Sequence, residues 1–374
     1  MYQTNGMPEA LRASPSKNPR FIPHLTGLRG VTAMWVVLVH YRHAFQFSPL
    51  IATVFPNRLV NAPQGQIVMD FFFLLSGFVI TLTAAKWNGE NRFSYFKSFM
   101  RKRFARAYPL HLVTTLLMVG IVPFMYPAKL VGTPWASSLL LHLTLTQSWG
   151  IHLLPDWNFP SWSLSADWLS YLCFPFILGL NRKCNKTLSS TLLSITLGAL
   201  SAMAVCYWFA DGTDGRGFEI GWSQCLAEFW VGMSLYDLSQ RWESRFSKTA
   251  LDIFALGWIA AFSAMIIFDW SPIVTAPMAV VGMLSMALGS QIWRILLANR
   301  FIFVLGEISY CLYLLHWPIG RTFLRLWAGY FGEGASLANG ITAAVLTIVL
   351  MGGLSYLTYI YFELPMRRLL SGSN

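Results

Sequence analysis

Residues Leu25–Phe45 read LTGLRGVTAMWVVLVHYRHAF. The run is long and apolar enough for a membrane-spanning helix, which needs ~20 residues, yet it carries Arg29 and His40. Eleven positions separate the two, so a helix sets them ~16 Å apart in height. Eleven steps of ~100° return almost to the starting angle, and both side chains face one side. An ionisable group at that depth faces a protein interior or a wet cavity and marks a functional site by default. The rest of the chain is therefore read for what it brings to that helical face.

The chain has 374 residues, 55% hydrophobic and only 11% charged. Soluble domains carry roughly 25% charged residues, so water-facing surface is scarce here. The sequence predicts an all-α, polytopic membrane helical bundle. A net charge of +11 would suit a nucleic-acid binder, but the basic residues gather in short loops between apolar runs. That is the pattern of cytoplasmic loops, and nucleic acid is excluded as a partner. Residues 1–20 are polar and hold no apolar core of a cleavable signal. The expected organisation is a cytoplasmic tail over 1–24, a membrane domain over 25–368 and a short tail over 369–374. The five cysteines show no CxxC or Cys/His spacing, so no metal site is expected and they read as packing residues.

Candidate spans cover about 25–46, 66–85, 107–126, 162–180, 188–210, 219–237, 250–268, 272–290, 301–319 and 337–361. A weaker segment at about 135–150 contains His142, Gln147 and Ser148. If it crossed the bilayer, the basic runs Asn181–Lys186, Arg241–Lys248 and Arg294–Arg300 would all lie outside. If it only dips into the outer surface, all three become cytoplasmic together with the 86–106 loop and Arg367–Arg368. The positive-inside rule favours the second arrangement: ten spans with both termini cytoplasmic. Arg321 and Arg325 are the local exception.

Several polar groups punctuate the spans. Met69–Phe78 (MDFFFLLSGF) places Ser76-Gly77 within an apolar helix, either for close helix packing or as a ligand, with Asp70 near the outer end, where solvation would account for it. Arg103 and Arg106 stand at i, i+3 and point the same way. They can fork around phosphate oxygens or hold anionic lipid headgroups. Before the span near 162, NFPSWSLSADW gathers Ser163, Ser165 and Asp167 close to Trp162 and Trp168, which also suit an interfacial belt. Ser309, Tyr313 and His316 form one helical stripe, and Pro318 frees a carbonyl near His316. Glu363 and Arg367 stand at i, i+4 and can pair.

Taken in order, Arg29 with His40, FFFLLSGF at 71–78, Arg103 with Arg106, WSLSADW at 162–168, SYCLYLLHWP at 309–318 and FELP at 362–365 resemble the acyltransferase-3 family of integral membrane O-acyltransferases. Each motif alone is weak, and the specificity lies in six of them in sequence from 25 to 368. The resemblance implies about ten spans in a bacterial cytoplasmic (inner) membrane and transfer of an acyl group, usually acetyl, from cytoplasmic acyl-CoA. Acetyl-CoA would be a co-substrate, with no permanently bound cofactor. The acceptor would be a hydroxyl of an exported glycan, free or lipid-linked, and membrane lipids the standing partners. By that likeness His40 is the base or acyl-handling residue, and Arg29, Arg103 and Arg106 serve CoA binding or site assembly. Ser76, Trp162, Ser163, Ser309, Tyr313, His316 and Glu363 are candidates for support. Asp167, the candidate catalytic carboxylate beside His40, stands where the family usually has Glu, which shortens its reach by one methylene. A transporter of a small anionic or glycan-linked substrate is the competing class. Stoichiometric release of free CoA would mark the enzyme.

Overall fold

The computed structural model describes residues 22–45, 62–85, 87, 91–151, 157–211, 221–268, 270, 274–332 and 337–372. Among them the chain is helical throughout, with no strand. The helices are α1 (Pro23–Phe45), α2 (Ala62–Ala84), α3 (Arg92–Met125), α4 (Trp135–Thr144), α5 (Trp162–Cys184), α6 (Leu188–Asp211), α7 (Gly221–Trp242) and α8 (Lys248–Ile267). They continue with α9 (Thr275–Ala287), α10 (Gln291–Leu297), α11 (Arg300–Glu307), α12 (Ser309–Leu315), α13 (Thr322–Phe331), α14 (Leu337–Thr358) and α15 (Leu364–Ser371). Wider π turns at His316–Arg321 and Tyr359–Glu363 link α12 to α13 and α14 to α15.

Six of these stretches are long and apolar enough to cross a membrane, and two bent pairs raise the number to eight. Their outward surfaces agree, since Phe124, Phe176, Ile253, Val349 and similar side chains stand exposed. In water such apolar area would demand a partner; in a bilayer it faces lipid. Helices α1 and α7 are long enough, at 23 and 22 residues, but more polar. In α7 the polar groups turn inward, burying Gln224, Glu228, Ser234 and Ser239. This helix lies at the centre of one half of the bundle, against α2, α5, α6 and α9. Helix α1 runs between two apolar cores, one shared with α2, α7 and α9, the other with α12 and α14.

Close contact between α2 and α7 depends on missing side chains. A Cβ on Gly77 would fall 2.0 Å from the Phe229 carbonyl oxygen, and one on Gly232 would fall 2.1 Å from that of Leu74. Of the two roles open to Ser76-Gly77, Gly77 takes the packing one.

The 86–106 segment departs from its reading as a loop: from Arg92 onward it is the first part of a 34-residue helix. Lysine and arginine are good helix formers, so α3 runs on past the apolar stretch instead of stopping there. Helix α4 has ten residues and spans only ~15 Å, too little to cross a bilayer. The 272–290 span is broken: α9 and α10 meet at 99°, with Gly289 at positive φ and Ser290 capping α10. The 301–319 span bends by 55° at Ile308 and runs on to Phe331. Asp70 is not solvated. It is buried, and Gln224 Nε2 donates at 2.9 Å both to it and to Glu228. Cys173, Cys184, Cys225 and Cys311 are free thiols. Residues 1–21, 212–220, 269 and 271–273 lie outside the described residues.

Candidate active site

Helices α1, α2, α3, α5 and α12 enclose a cavity of about 160 Å³. Typical ligand pockets measure roughly 300–1,000 Å³, so it accepts part of a ligand, such as a phosphate or a slender chain end. Its lining includes Arg29, Arg103 and Arg106, with Asp167 the one carboxylate there among the described residues. Ser76, Ser163, Tyr171, Ser309 and Tyr313 complete the polar part of the wall, and Phe72, Phe73 and Val79 supply apolar surface.

Each arginine is held by its helix environment. Arg29 donates to the Gly306 carbonyl at 2.8 Å, which α1 can approach because Gly30 and Gly306 face each other. Ser309 Oγ donates to the same carbonyl at 2.7 Å. Arg103 lies over the rings of Phe99 and Tyr171, at 5.2 and 5.6 Å from their centroids. Its buried Nε has no hydrogen-bond partner among the described residues. Asp167 accepts from Tyr171 at 2.8 Å, Ser76 Oγ lies 3.3 Å from the same hydroxyl, and no salt bridge within 4 Å joins Asp167 to an arginine among the described residues. Three guanidiniums against one carboxylate leave the enclosure with an excess of positive charge, and buried charge needs an opposite partner.

Tyr313, in the cavity wall, connects it to the histidines. Its hydroxyl donates to the Pro160 carbonyl at 2.7 Å and lies 2.6 Å from Ser163 Oγ. Beyond it, His316 Nδ1 donates to the Tyr313 carbonyl at 2.6 Å, and His316 Nε2 lies 2.9 Å from His40 Nδ1. The two imidazole planes lie within 8° of parallel, with centroids 5.1 Å apart, as an in-plane N–H···N bond requires. A carbonyl only accepts, so His316 carries its hydrogen on Nδ1 and, when neutral, a lone pair on Nε2. His40 must then donate from Nδ1, which leaves the lone pair of His40 on Nε2. The chain thus selects one tautomer of His40.

The π turn sustains this pair. Pro318 lacks an N–H, so the carbonyl of Leu314 loses its helical partner, and Asn158 Nδ2 supplies one at 3.2 Å. The His316 carbonyl accepts from Tyr41 at 2.5 Å. Phe159 and Trp317 stand edge-on to His40, at 5.9 and 5.5 Å.

The structure therefore gathers Arg29, Arg103, Arg106, Asp167, Ser76, Ser163, Ser309 and Tyr313 on one cavity. His40 and His316 stand past Tyr313, with His40 partly exposed. Arg29 and His40 both meet the 300–321 stretch of chain, as their eleven-residue spacing requires. His40 does not line the cavity; it is joined through His316 to Tyr313, which does. Glu363 and Trp162 do not line the cavity. Glu363 accepts from Cys311 and pairs with Arg367 at 3.5 Å. Trp162 packs on Phe73 and beside Gly221. Trp157 is buried. Sequence reading passed over Tyr171, although it follows Asp167 by four residues on α5, a spacing that brings side chains together. Tyr41 and Phe159 gave no local signal.

A family model described as an acyltransferase domain matches residues 22–360. The chain is 29% identical to "Acyltransferase MdmB" of Streptomyces mycarofaciens, over 93% of this chain and 92% of that one. It is 24% identical to "Peptidoglycan O-acetyltransferase OatA" of Listeria monocytogenes, over 80% of this chain and 49% of that protein. With "O-acetyltransferase OatA" of Staphylococcus aureus the identity is 22%, over 94% of this chain and 58% of that one. The chain thus spans about half to three-fifths of the two OatA proteins. No solved structure matches it. The match over residues 22–360, nearly the whole chain, places it in the acyltransferase-3 family.

Proposed function

We propose that the protein moves an acyl group, acetyl in the simplest case, from acyl-CoA to a sugar hydroxyl on the other side of the membrane. The observation that carries this reading is the excess of guanidinium charge at the cavity, set one tyrosine away from a histidine whose tautomer is fixed. Arg29, Arg103 and Arg106 suit phosphate oxygens of the donor, because guanidiniums bind them in bidentate fashion. The apolar wall of Phe72, Phe73 and Val79 suits the slender arm that carries a thioester.

In the proposed step, His40 Nε2 takes the proton of the sugar hydroxyl as its oxygen bonds to the acyl carbon. The carbon–sulfur bond breaks, and the proton passes from His40 to the departing sulfur, giving free CoA and the ester. General-base assistance of this kind is worth ~10²–10⁴ in rate. His316 holds the imidazole in the reactive tautomer throughout. The donor enters from the arginine side and the acceptor from the side of Phe159 and Trp317.

Sidedness follows the same reading. Arg182 caps the Trp87 and Ala84 carbonyls, Arg241 those of Asn185 and Lys186, and the C-terminal Gly372 lies against Arg101. The basic ends of α3, α5, α7 and α15 thus share one end of the bundle, which we assign to the cytosol. Counting α1 and α7 as spans then gives ten crossings with both termini inside, and a donor cavity that opens inward.

The test uses purified protein with acetyl-CoA and a candidate glycan, following free thiol. Stoichiometric CoA release that His40→Ala abolishes at unchanged yield supports the proposal. Turnover at the parent rate in that variant would remove His40 from the mechanism.

A further inference from the structure

The chain entering the π turn is held at its carbonyls by side chains. Those of Tyr313, Leu314 and His316 accept from His316 Nδ1, Asn158 Nδ2 and the Tyr41 hydroxyl. Tyr41 follows His40 on α1, so the helix of the proposed base grips the turn directly. Asn158 comes from the run before α5, and each residue of that run meets the turn or His40. Trp157 shares an apolar cluster with Trp317, and Phe159 lies 4.9 Å from Trp317 and edge-on to His40. The Pro160 carbonyl accepts from Tyr313.

Asn158 is completely buried, and its amide reaches two elements at once. Nδ2 lies 3.2 Å from the Leu314 carbonyl and 3.1 Å from Thr114 Oγ1 on α3. A carbonyl only accepts, so the amide can stand only with its nitrogen on that side. Thr114 gives its own hydrogen to the His111 carbonyl at 3.1 Å, which leaves its oxygen to accept. The two N–H groups of one amide thus serve two acceptors on different elements. Pro318 removes the regular helical donor to Leu314, so the tie there comes from outside the helix. Thr114 follows Arg103 by eleven residues, the same spacing that aligns Arg29 with His40 on α1.

We infer that Asn158 is a positioning residue for the reaction, its amide fastening the turn that presents His316 to the helix that carries Arg103. The bond from His40 Nδ1 to His316 Nε2 is 2.9 Å long, and displacing the ring by roughly 0.7 Å would break it. With that bond goes the choice of tautomer on His40. Assigning the hold to acyl transfer rests on the proposed function. The hold on the imidazole pair does not, and it is read without donor or acceptor.

The full chain is prepared in nanodiscs with isotopically labelled histidine nitrogens, as parent, Asn158→Leu and Asn158→Ala. Leucine has nearly the shape of asparagine but no donor; alanine has neither. At a pH where both imidazoles are neutral, NMR should find the parent His40 with its hydrogen on Nδ1, the signal being assigned by its loss in His40→Ala. Both Asn158 variants should show a mixture of His40 tautomers. Both should lower kcat about fivefold or more, with the acetyl-CoA KM within about twofold of the parent. Alanine should lower the melting temperature further than leucine, which separates the void from the missing donor. If leucine kept the parent tautomer and kcat, Asn158 would serve packing alone and the inference would be overturned. A raised acetyl-CoA KM at unchanged kcat would overturn it too. If the parent transferred no acyl group while both variants still scrambled the His40 tautomer, the hold would stand and only its use in acyl transfer would be withdrawn. Acyl transfer in the parent, with an unmoved tautomer in both variants, would remove Asn158 alone.

Discussion

His316→Ala probes the tautomer relay while leaving the proposed base, His40, in place. The substitution deletes the acceptor of the 2.9 Å bond from His40 Nδ1 and the donor to the Tyr313 carbonyl. A neutral hydrogen bond contributes ~0.5–1.5 kcal/mol net, and a buried group left without its partner costs ~1–3 kcal/mol. If ~1–2 kcal/mol of that had fixed the orientation and tautomer of His40, its removal lowers the productive fraction about 5–30-fold. Deleting the base itself, in His40→Ala, forfeits the larger ~10²–10⁴. The expected order in kcat is therefore parent, then H316A, then H40A. The acetyl-CoA KM of H316A should stay near the parent value, because Arg29, Arg103 and Arg106 are untouched. His316 is completely buried, so its removal also leaves a void, and melting temperature is measured alongside. Added imidazole, which fits that void and offers the missing acceptor, should restore part of the rate. The assay is thiol release from acetyl-CoA at saturating acceptor. An H316A protein turning over within about twofold of the parent would refute the relay.

Arg103→Ala should raise the acetyl-CoA KM about tenfold or more, since charge-assisted bonds are worth ~1.5–3 kcal/mol, with a smaller effect on the acceptor KM; initial-rate titrations of each substrate decide it. Asp167→Asn keeps an acceptor for Tyr171 and removes the only carboxylate of the cavity wall among the described residues, so the same titration should show the acetyl-CoA KM falling a few-fold. Gly77→Ala must push α2 off α7, because its methyl would meet the Phe229 carbonyl at 2.0 Å; detergent-extracted yield and melting temperature should drop. Gly352→Ala, on the same test, meets nothing within 4 Å and should leave both unchanged or slightly raised. Tyr41→Phe removes the bond to the His316 carbonyl and should lower stability by ~0.5–1.5 kcal/mol, with kcat reduced less than in H316A.

The features legible in the sequence are those that a single helix determines. The pairing of Arg29 with His40 follows from the helical period alone, and both do meet the 300–321 stretch. Arg103 with Arg106, and Ser309 with Tyr313, share faces for the same reason and reach one cavity. The 135–150 segment was read as not crossing from the charge pattern alone, and its helix α4, at ten residues, is too short to span hydrocarbon. Illegible were the facts set by two helices at once. Asp70 looks like an end-of-helix carboxylate until α7 brings Gln224 and Glu228 beside it, 154 and more residues later in the chain. The break at Gly289 and the π turn at Pro318 are announced by residue type, but neither a 99° bend nor a tyrosine seated under a carbonyl can be read from it.

Between these extremes lie the small residues, and they connect the two levels. Gly77 stands one position after Ser76, which lines the cavity, and its missing side chain is what lets α2 approach α7. Gly30 stands one position after Arg29, and it faces Gly306, whose carbonyl Arg29 grips. In both places a functional polar residue is followed at once by the glycine that sets its helix at contact distance. At α1 the two coincide: Arg29 bonds the Gly306 carbonyl at 2.8 Å across an interface that has no room for a Cβ on Gly30 or Gly306. A polar residue next to glycine inside an apolar span is therefore a sequence signal for a cross-helix polar contact. By that signal Arg29-Gly30 and Ser76-Gly77 identify α1 and α2 as the helices that bring the cavity wall together.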